Sequence, residues 1–394
     1  MVQTGLQRWL TEGPACAGLS GTLRYGLVAH PPSIGSDGRH VLETAAAGAA
    51  GLPSRLFAPE HGLLGQEQDM ETVGDAVDPW TGVEVVSLYG ESPSSLRPAA
   101  ASLSDLDAIV IDLQDVGARY YTFVYTTAYV MEAARPLGLP VVVLDRPNPI
   151  GGDRVEGPVL EAGWESFVGR YPLPVRHGMT AGELARWFNQ TQGIGCDLRV
   201  VDMNGWTRSM HYEQTGLPWV PPSPNMPSQN TARVYPGGCL IEGTRLSEGR
   251  GTTLPFELIG APDLDSRALA NRLRASALDG VLFRSAAFRP MFQKHAGRTC
   301  HGVQLIVTDD RAFRPFEVYL AVLAAARETA GDAFAWRTEA YEFETERLAI
   351  DLLFGNDWIR GGLESGAALS ALADRWQPGL ERFCRERETF LAYR

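Results

Sequence analysis

The sequence predicts an α/β fold: a largely parallel sheet with helices on both faces, followed by a smaller α/β domain. Three observations predict it. Short continuous runs of Val, Ile and Leu alternate with helical patterns through the first half, and such runs fit parallel strands covered on both sides. The βαβα rhythm selects an open, doubly wound sheet. The chain has 394 residues, 44% of them hydrophobic, which is long enough for two cores.

The elements follow in order. Strand runs lie at 24–30 ("RYGLVAH"), 54–60 ("SRLFAPE"), 83–90 ("VEVVSLYG"), 107–115 ("DAIVIDLQD") and 139–147 ("LPVVVLDRP"). Helix patterns fill 40–51 and 121–138. A further helix is expected over 180–192, with Thr180 as its cap and Glu183 completing a capping box, and a strand over 196–203. Residues 204–238 hold too many prolines for helix or central strand. So long a connection is expected to be functional or to wrap the surface. After 256–265 come a helix, strands at 280–288 and 300–309, a helix from Pro315 to Thr329 and helical segments to the end. The division expected is a Rossmann-like domain over 1–260 and a smaller C-terminal α/β domain over 261–394.

Composition excludes several functions. A net charge of −12 is wrong for nucleic acid, whose backbone demands clustered Lys and Arg. Lys294 is the one lysine, and no G-x-x-x-x-G-K-[ST] sequence occurs, so a P-loop is not expected. The turn after the first strand, "AHPPSIGSDGRH", lacks G-x-G-x-x-G, which leaves a dinucleotide unsupported. The five cysteines, at 16, 196, 239, 300 and 384, have neither zinc spacing nor an even count for disulfides. No stretch approaches transmembrane length. As it stands the chain reads as soluble and cytoplasmic; removal of a targeting segment would make it exported.

In open parallel sheets ligands bind beyond the carboxyl ends of the strands. Polar residues crowd there. The second strand delivers Glu60 and His61, the third Tyr89 and Glu91, the fourth Asp112, Gln114, Asp115 and Arg119, the fifth Asp145, Arg146 and Asn148. Converging carboxylates suit general acid–base work, because neighbours push each other's pKa values apart. Glu60 stands out. It sits between Pro59 and the His61-Gly62 pair, in a turn that one residue stiffens and another frees. Asp112 and Asp145 read equally well as caps or turn-fixing residues, and Asp115 with Arg119 as an i,i+4 ion pair. A metal site built from His61, His177, Asp112 and Asp115 is a competing reading, without H-x-x-x-H or H-x-H spacing to support it.

Two further clusters are rich in charge. "EGTRLSEGRGTTLPFE" (242–257) places Arg250 between two glycines, where a guanidinium can fork onto a carboxylate or phosphate. "PVRHGMT" (174–180) sets Arg176 and His177 before a helix N-terminus, a position that favours anions.

Taken together, "FAPEHGLLG", "SLYG", "DLQDVGARYYTFVYT", "LDRPNPIGGDRVEGPVL", "PVRHGMTAGELA", "PSPNMP" and "EGTRLSEGRGTTLPFELIGAP" resemble the NamZ family of exo-β-N-acetylmuramidases. The resemblance runs in order from about Tyr25 to Pro262 and more weakly to the C-terminus. It implies a peptidoglycan-fragment hydrolase that releases N-acetylmuramic acid (MurNAc) from a non-reducing end by cutting its β-1,4 bond to N-acetylglucosamine (GlcNAc). It also implies a Rossmann-like catalytic domain and an active site between the two domains. Glycosidases need an acid for the leaving oxygen and a second group across the sugar. On this resemblance Glu60 is the acid, and Asp115 and Glu248 are candidates for the second role. A 2-acetamido sugar could also supply its own nucleophile. Substrate contacts are expected from His61, Arg119, Tyr121, Asn148, Arg176, His177 and Arg250, with the arginines holding the lactyl carboxylate. No cofactor, metal, nucleic acid or membrane insertion is expected. Family members are commonly exported, so this chain was either trimmed or acts on imported fragments. A metal-dependent hydrolase and a non-catalytic muropeptide-binding protein are the alternatives.

Overall fold

The protein is described from a computed structural model covering residues 1–68, 71, 74–90 and 92–394. Glu91 lies outside the described residues. Nine strands form in the first two-thirds of the chain: β1 Tyr25–Val28, β2 Arg55–Ala58, β3 Ala76–Val77, β4 Glu84–Ser87, β5 Ala108–Ile111, β6 Val141–Leu144, β7 Glu156–Val159, β8 Pro174–Arg176 and β9 Leu198–Val201. Seven make one sheet in the order β3-β4-β2-β1-β5-β6-β9. Every pairing in it is parallel except β3 with β4. All six strands expected in this region are present. The β3 edge strand was not expected: two residues with exposed side chains carry no hydrophobic signal.

β1, β5 and β6 read YGLV, AIVI and VVVL, and each of those residues is buried. Strands apolar throughout need cover on both faces. Part of it comes from helix Phe123–Ala134, which is buried around most of its circumference and packs on helix Ala181–Thr191. The second helix begins with the expected capping box: Thr180 accepts from the Glu183 N–H and Glu183 answers the Thr180 N–H. The expected helix at 40–51 is shorter. Val41–Thr44 passes into a 3-10 turn, Ala45–Ala47, that ends at Gly48.

The chain runs β1, β2, β4 to one side and β5, β6, β9 to the other. The direction reverses between β1 and β5, which opens a crevice at their carboxyl ends. His30 and Asp112 leave the sheet there. Asp112 takes both Arg146 Nε and Nη2 at 2.7 Å. His30 accepts the Gln114 N–H at 2.9 Å. The crevice itself is therefore plugged by buried pairs, and the open space lies beside it, past β2.

The remaining strands, β10 Leu258–Ala261, β11 Val281–Phe288 and β12 Cys300–Val307, form an antiparallel sheet in the order β10-β12-β11. Helices Ser266–Arg274 and Pro315–Thr329 accompany it. Helix Leu369–Arg387 crosses back to pack on β7. One expectation is corrected here. Residues 204–238 do contain a helix, Gln229–Gly238, despite Pro236. Ser228 caps its start, the dense prolines precede it, and Pro236 falls in the last turn, so that the helix gives up one intrahelical N–H bond there and ends soon after. Gly237 lets it lie directly on the next element, since an added Cβ would come within 2.1 Å of the Pro315 carbonyl oxygen.

Candidate active site

Glu60 leaves β2 in a four-residue turn closed by the Gly62 N–H on the Pro59 carbonyl at 3.0 Å. His61 has φ 70° and Gly62 φ 79°. A positive φ at the third turn position normally selects Gly or Asn. Here His61 Nδ1–H donates to the Glu67 carbonyl at 2.9 Å, which helps hold the turn and leaves Nε2 as an acceptor. Glu60 is 7% exposed. Thr122 Oγ1–H donates to its Oε2 at 2.6 Å, and the residue lines a pocket. That pocket is lined by Glu60, His61, Tyr121 and Arg250 from the expected set, with Tyr120, Thr122, Ser223, Asn225, Tyr235, Glu242, Tyr341 and Glu342. Most of its wall comes from five stretches: the β2 exit, the β5 exit, the proline-rich stretch, and the segments around 235–256 and 341–342.

Tyr121 forms one wall. Burial pushes its phenol well above the usual value; the nearby Ser223 side chain opposes this, and the charges of Glu60 and Asp115 add to it. Its hydroxyl has no hydrogen-bond partner that meets normal geometry. It packs edge-to-face on Tyr235 at 5.9 Å.

Arg250 enters from the loop before β10 and lies over the Phe256 ring at 5.2 Å. Its Nη2 is 3.0 Å from Glu242 and its Nη1 3.8 Å from Glu248. The flanking glycines are needed for packing: a Cβ on Gly251 would sit 2.7 Å from Phe292 backbone atoms, and one on Gly249 2.8 Å from the Leu258 carbonyl oxygen.

The other expected residues lie off the pocket lining. Asp115 accepts the Gly117 N–H at 2.7 Å and faces His177 Nε2 at 3.3 Å. His177 Nδ1 accepts the Met179 N–H, so its proton is on Nε2, towards Asp115. The two form a buried pair. Glu248 is 2% exposed and bonded to Lys294 at 2.9 Å. Burial pushes its carboxyl up, but the Lys294 and Arg250 charges outweigh this and hold it below the usual range. Arg119, expected on the substrate, is fully buried, and its guanidinium serves the carbonyls of Pro158, Leu173 and Leu353 at 2.7–2.9 Å. Arg176 pairs with Glu156 at 2.6 Å in a different cleft, beside Arg154 and His211. Asn148 closes a turn through the Ile150 N–H and the Met179 carbonyl. The four residues of the metal reading do not converge: among the described residues no group of three or more His, Cys, Asp or Glu side chains is arranged to hold a metal.

Sequence reasoning missed Thr122, Glu242, Tyr341 and Glu342. Thr122 directly follows Tyr121 and Glu242 opens the second charged cluster, so both were within sight. Tyr341 and Glu342 come from a polar stretch without a pattern. Tyr89, at the β4 exit, reaches this wall by donating to Glu342 at 3.0 Å.

A family model described as exo-β-N-acetylmuramidase NamZ, N-terminal, matches residues 25–230, and its C-terminal counterpart matches 233–393. The chain is 44% identical over 370 residues to the peptidoglycan β-N-acetylmuramidase NamZ of Bacillus subtilis, covering 94% of this chain and 87% of that protein. Two solved structures of DUF1343 family proteins from Bacteroides fragilis superpose over 100% of this chain and 99% of their own. One has a TM-score of 0.88 at 30% identity, the other 0.77 at 28%. With both of its halves matched and a relative this similar along nearly all its length, the chain belongs to the exo-β-N-acetylmuramidase NamZ family of glycoside hydrolases.

Proposed function

We propose that the protein removes MurNAc from the non-reducing end of peptidoglycan fragments by hydrolysing its β-1,4 bond to GlcNAc, with Glu60 as general acid. The observation that carries this is the setting of Glu60. The turn fixes its backbone, Thr122 occupies Oε2, and the side chain lines the pocket, which leaves Oε1 for a substrate. A proton on Oε1 can therefore reach a glycosidic oxygen and little else. As the C1–O bond breaks, its electron pair goes to that oxygen, which takes the proton from Glu60. Water then adds to C1, and the ionised Glu60 receives the water's proton. A pocket walled from several sides accepts a chain end more readily than the middle of a strand.

Arg250 is the permanent cation on the lining, so it is the group to meet the lactyl carboxylate that distinguishes MurNAc from GlcNAc. Arg119 is too enclosed for that work, and Arg176 lies in another cleft.

The test is Glu60→Gln, assayed on a chromogenic MurNAc glycoside and on MurNAc-GlcNAc. Glutamine keeps the shape and cannot give the proton. Turnover of the disaccharide should fall ~10²–10⁴-fold at an unchanged melting temperature. A folded variant with near wild-type turnover removes Glu60 from the mechanism.

A further inference from the structure

Of the three carboxylates lining the pocket, Glu60, Glu242 and Glu342, the first two reach it from distant parts of the sequence in contrasting surroundings. Glu60 has a hydroxyl on one oxygen and, among the described residues, no ion-pair partner. Glu242, 5% exposed, is held at both oxygens. Tyr341 Oη–H donates to Oε2 at 2.7 Å, and Arg250 Nη2 lies 3.0 Å from Oε1. The phenol fixes one oxygen and the guanidinium sets a positive charge beside the other, so the carboxyl is held still next to a cation. The walls connect the two groups. Tyr121 and Tyr235 stand on the same lining, edge-to-face with ring centroids 5.9 Å apart.

We infer that Glu242 is the second catalytic carboxylate of the reaction. It stands ionised against the positive charge that grows at the anomeric carbon while Glu60 protonates the leaving oxygen. Tyr341 and Arg250 position it. This rests on the hydrolase reading above. It also replaces Glu248 in the second role: Glu248 is locked to Lys294 away from the lining. Paired titratable groups in opposed settings are how one site runs acid and base chemistry together.

The experiment compares Glu60→Gln and Glu242→Gln on MurNAc-GlcNAc and on a dinitrophenyl MurNAc glycoside, whose leaving group needs no proton. Glu60→Gln should recover much of its rate on the dinitrophenyl substrate. Glu242→Gln should lose at least ~10²-fold in kcat on both, because charge at the anomeric carbon develops whatever the leaving group. Tyr341→Phe removes one hydrogen bond and little shape. It should lower kcat about ten-fold with KM unchanged, and it decides the matter if Glu242→Gln does not fold. If wild type hydrolyses neither substrate, the hydrolase reading fails. If wild type is active, three results overturn the role of Glu242 alone: Glu242→Gln within a few-fold of wild type, a loss confined to the disaccharide, or a folded Tyr341→Phe with wild-type kcat.

Discussion

Arg119 and Arg250 both lie in charged loop-like stretches of sequence, and their surroundings separate them. The Arg119 guanidinium donates to three buried carbonyls, Pro158, Leu173 and Leu353, of which Leu173 also accepts the Leu160 N–H, and burial pulls its pKa below the usual arginine value. Arg119→Met should destabilise the fold by at least ~3 kcal/mol, since each abandoned buried acceptor costs about 1–3 kcal/mol. Urea unfolding measures this, and the folded remainder should keep its kcat. Arg250→Ala should act on specificity. Both the MurNAc and the GlcNAc glycosides should slow, because Glu242 loses a partner. The MurNAc substrate should slow by a further ten- to a hundred-fold, the worth of a charge-assisted bond of roughly 1.5–3 kcal/mol. Ratios of kcat/KM on the two glycosides read this out, and equal losses on both would show that Arg250 does not contact the lactyl group. Glu60 was legible in the sequence because Pro59 and Gly62 mark a built turn. Arg119 was not, because a sequence does not say which carbonyls will lack donors.

At the scale of elements, the loop from Glu242 to Glu257 is set by Lys294. Its Nζ meets the carbonyls of Ile241, Glu242 and Leu246 at 3.1–3.2 Å and Glu248 Oε2 at 2.9 Å. The sequence showed a lone lysine and gave it no task. The structure makes it a staple across the segment that presents Glu242 and Arg250. Lys294→Met leaves Glu248 buried with only the longer 3.8 Å ion pair to Arg250 among the described residues, and breaking a buried pair from one side costs about 3–5 kcal/mol. Chemical denaturation should show a loss of that order, with activity falling too as the loop loosens. A variant as stable as wild type would mean that Arg250 alone holds Glu248. Strands and the capped helix at 181–191 were readable because their patterns are local. Helix Gln229–Gly238 was hidden by its proline count, since position within the helix decides what a proline costs.

Across the whole molecule, the C-terminus returns to the first sheet. Tyr393 Oη–H donates to Asp145 Oδ2 at 2.6 Å, beside donors from Thr180, Gly182 and Arg146. Burial pushes the Asp145 carboxyl up to about 6, the Tyr393 hydrogen bond opposes this, and the charge of Glu183 adds to it. The folded state therefore holds this proton more tightly than the unfolded chain, whose aspartate titrates near ~4. Its contribution to stability is complete below that value and is lost as pH rises through about 6. Unfolding free energies of wild type and Asp145→Asn, measured between pH 4 and 7, should diverge most at the acid end. A difference constant with pH would show that Asp145 does not titrate in that window. The sequence announced the parallel sheet and its switch of direction. It did not announce this clasp, or that walls contributed by residues 223–226 and 341–342 would close the pocket, because such contacts join segments without a shared pattern.

Release of MurNAc from a chain end can be read from the masses of the products. Two purified peptidoglycan saccharides of equal length are incubated with the enzyme, one beginning at its non-reducing end with MurNAc and the other with GlcNAc. The account predicts free MurNAc from the first, a product one residue shorter, and no reaction with the second. Internal cleavage of either saccharide, or equal release of GlcNAc from the second, would contradict it.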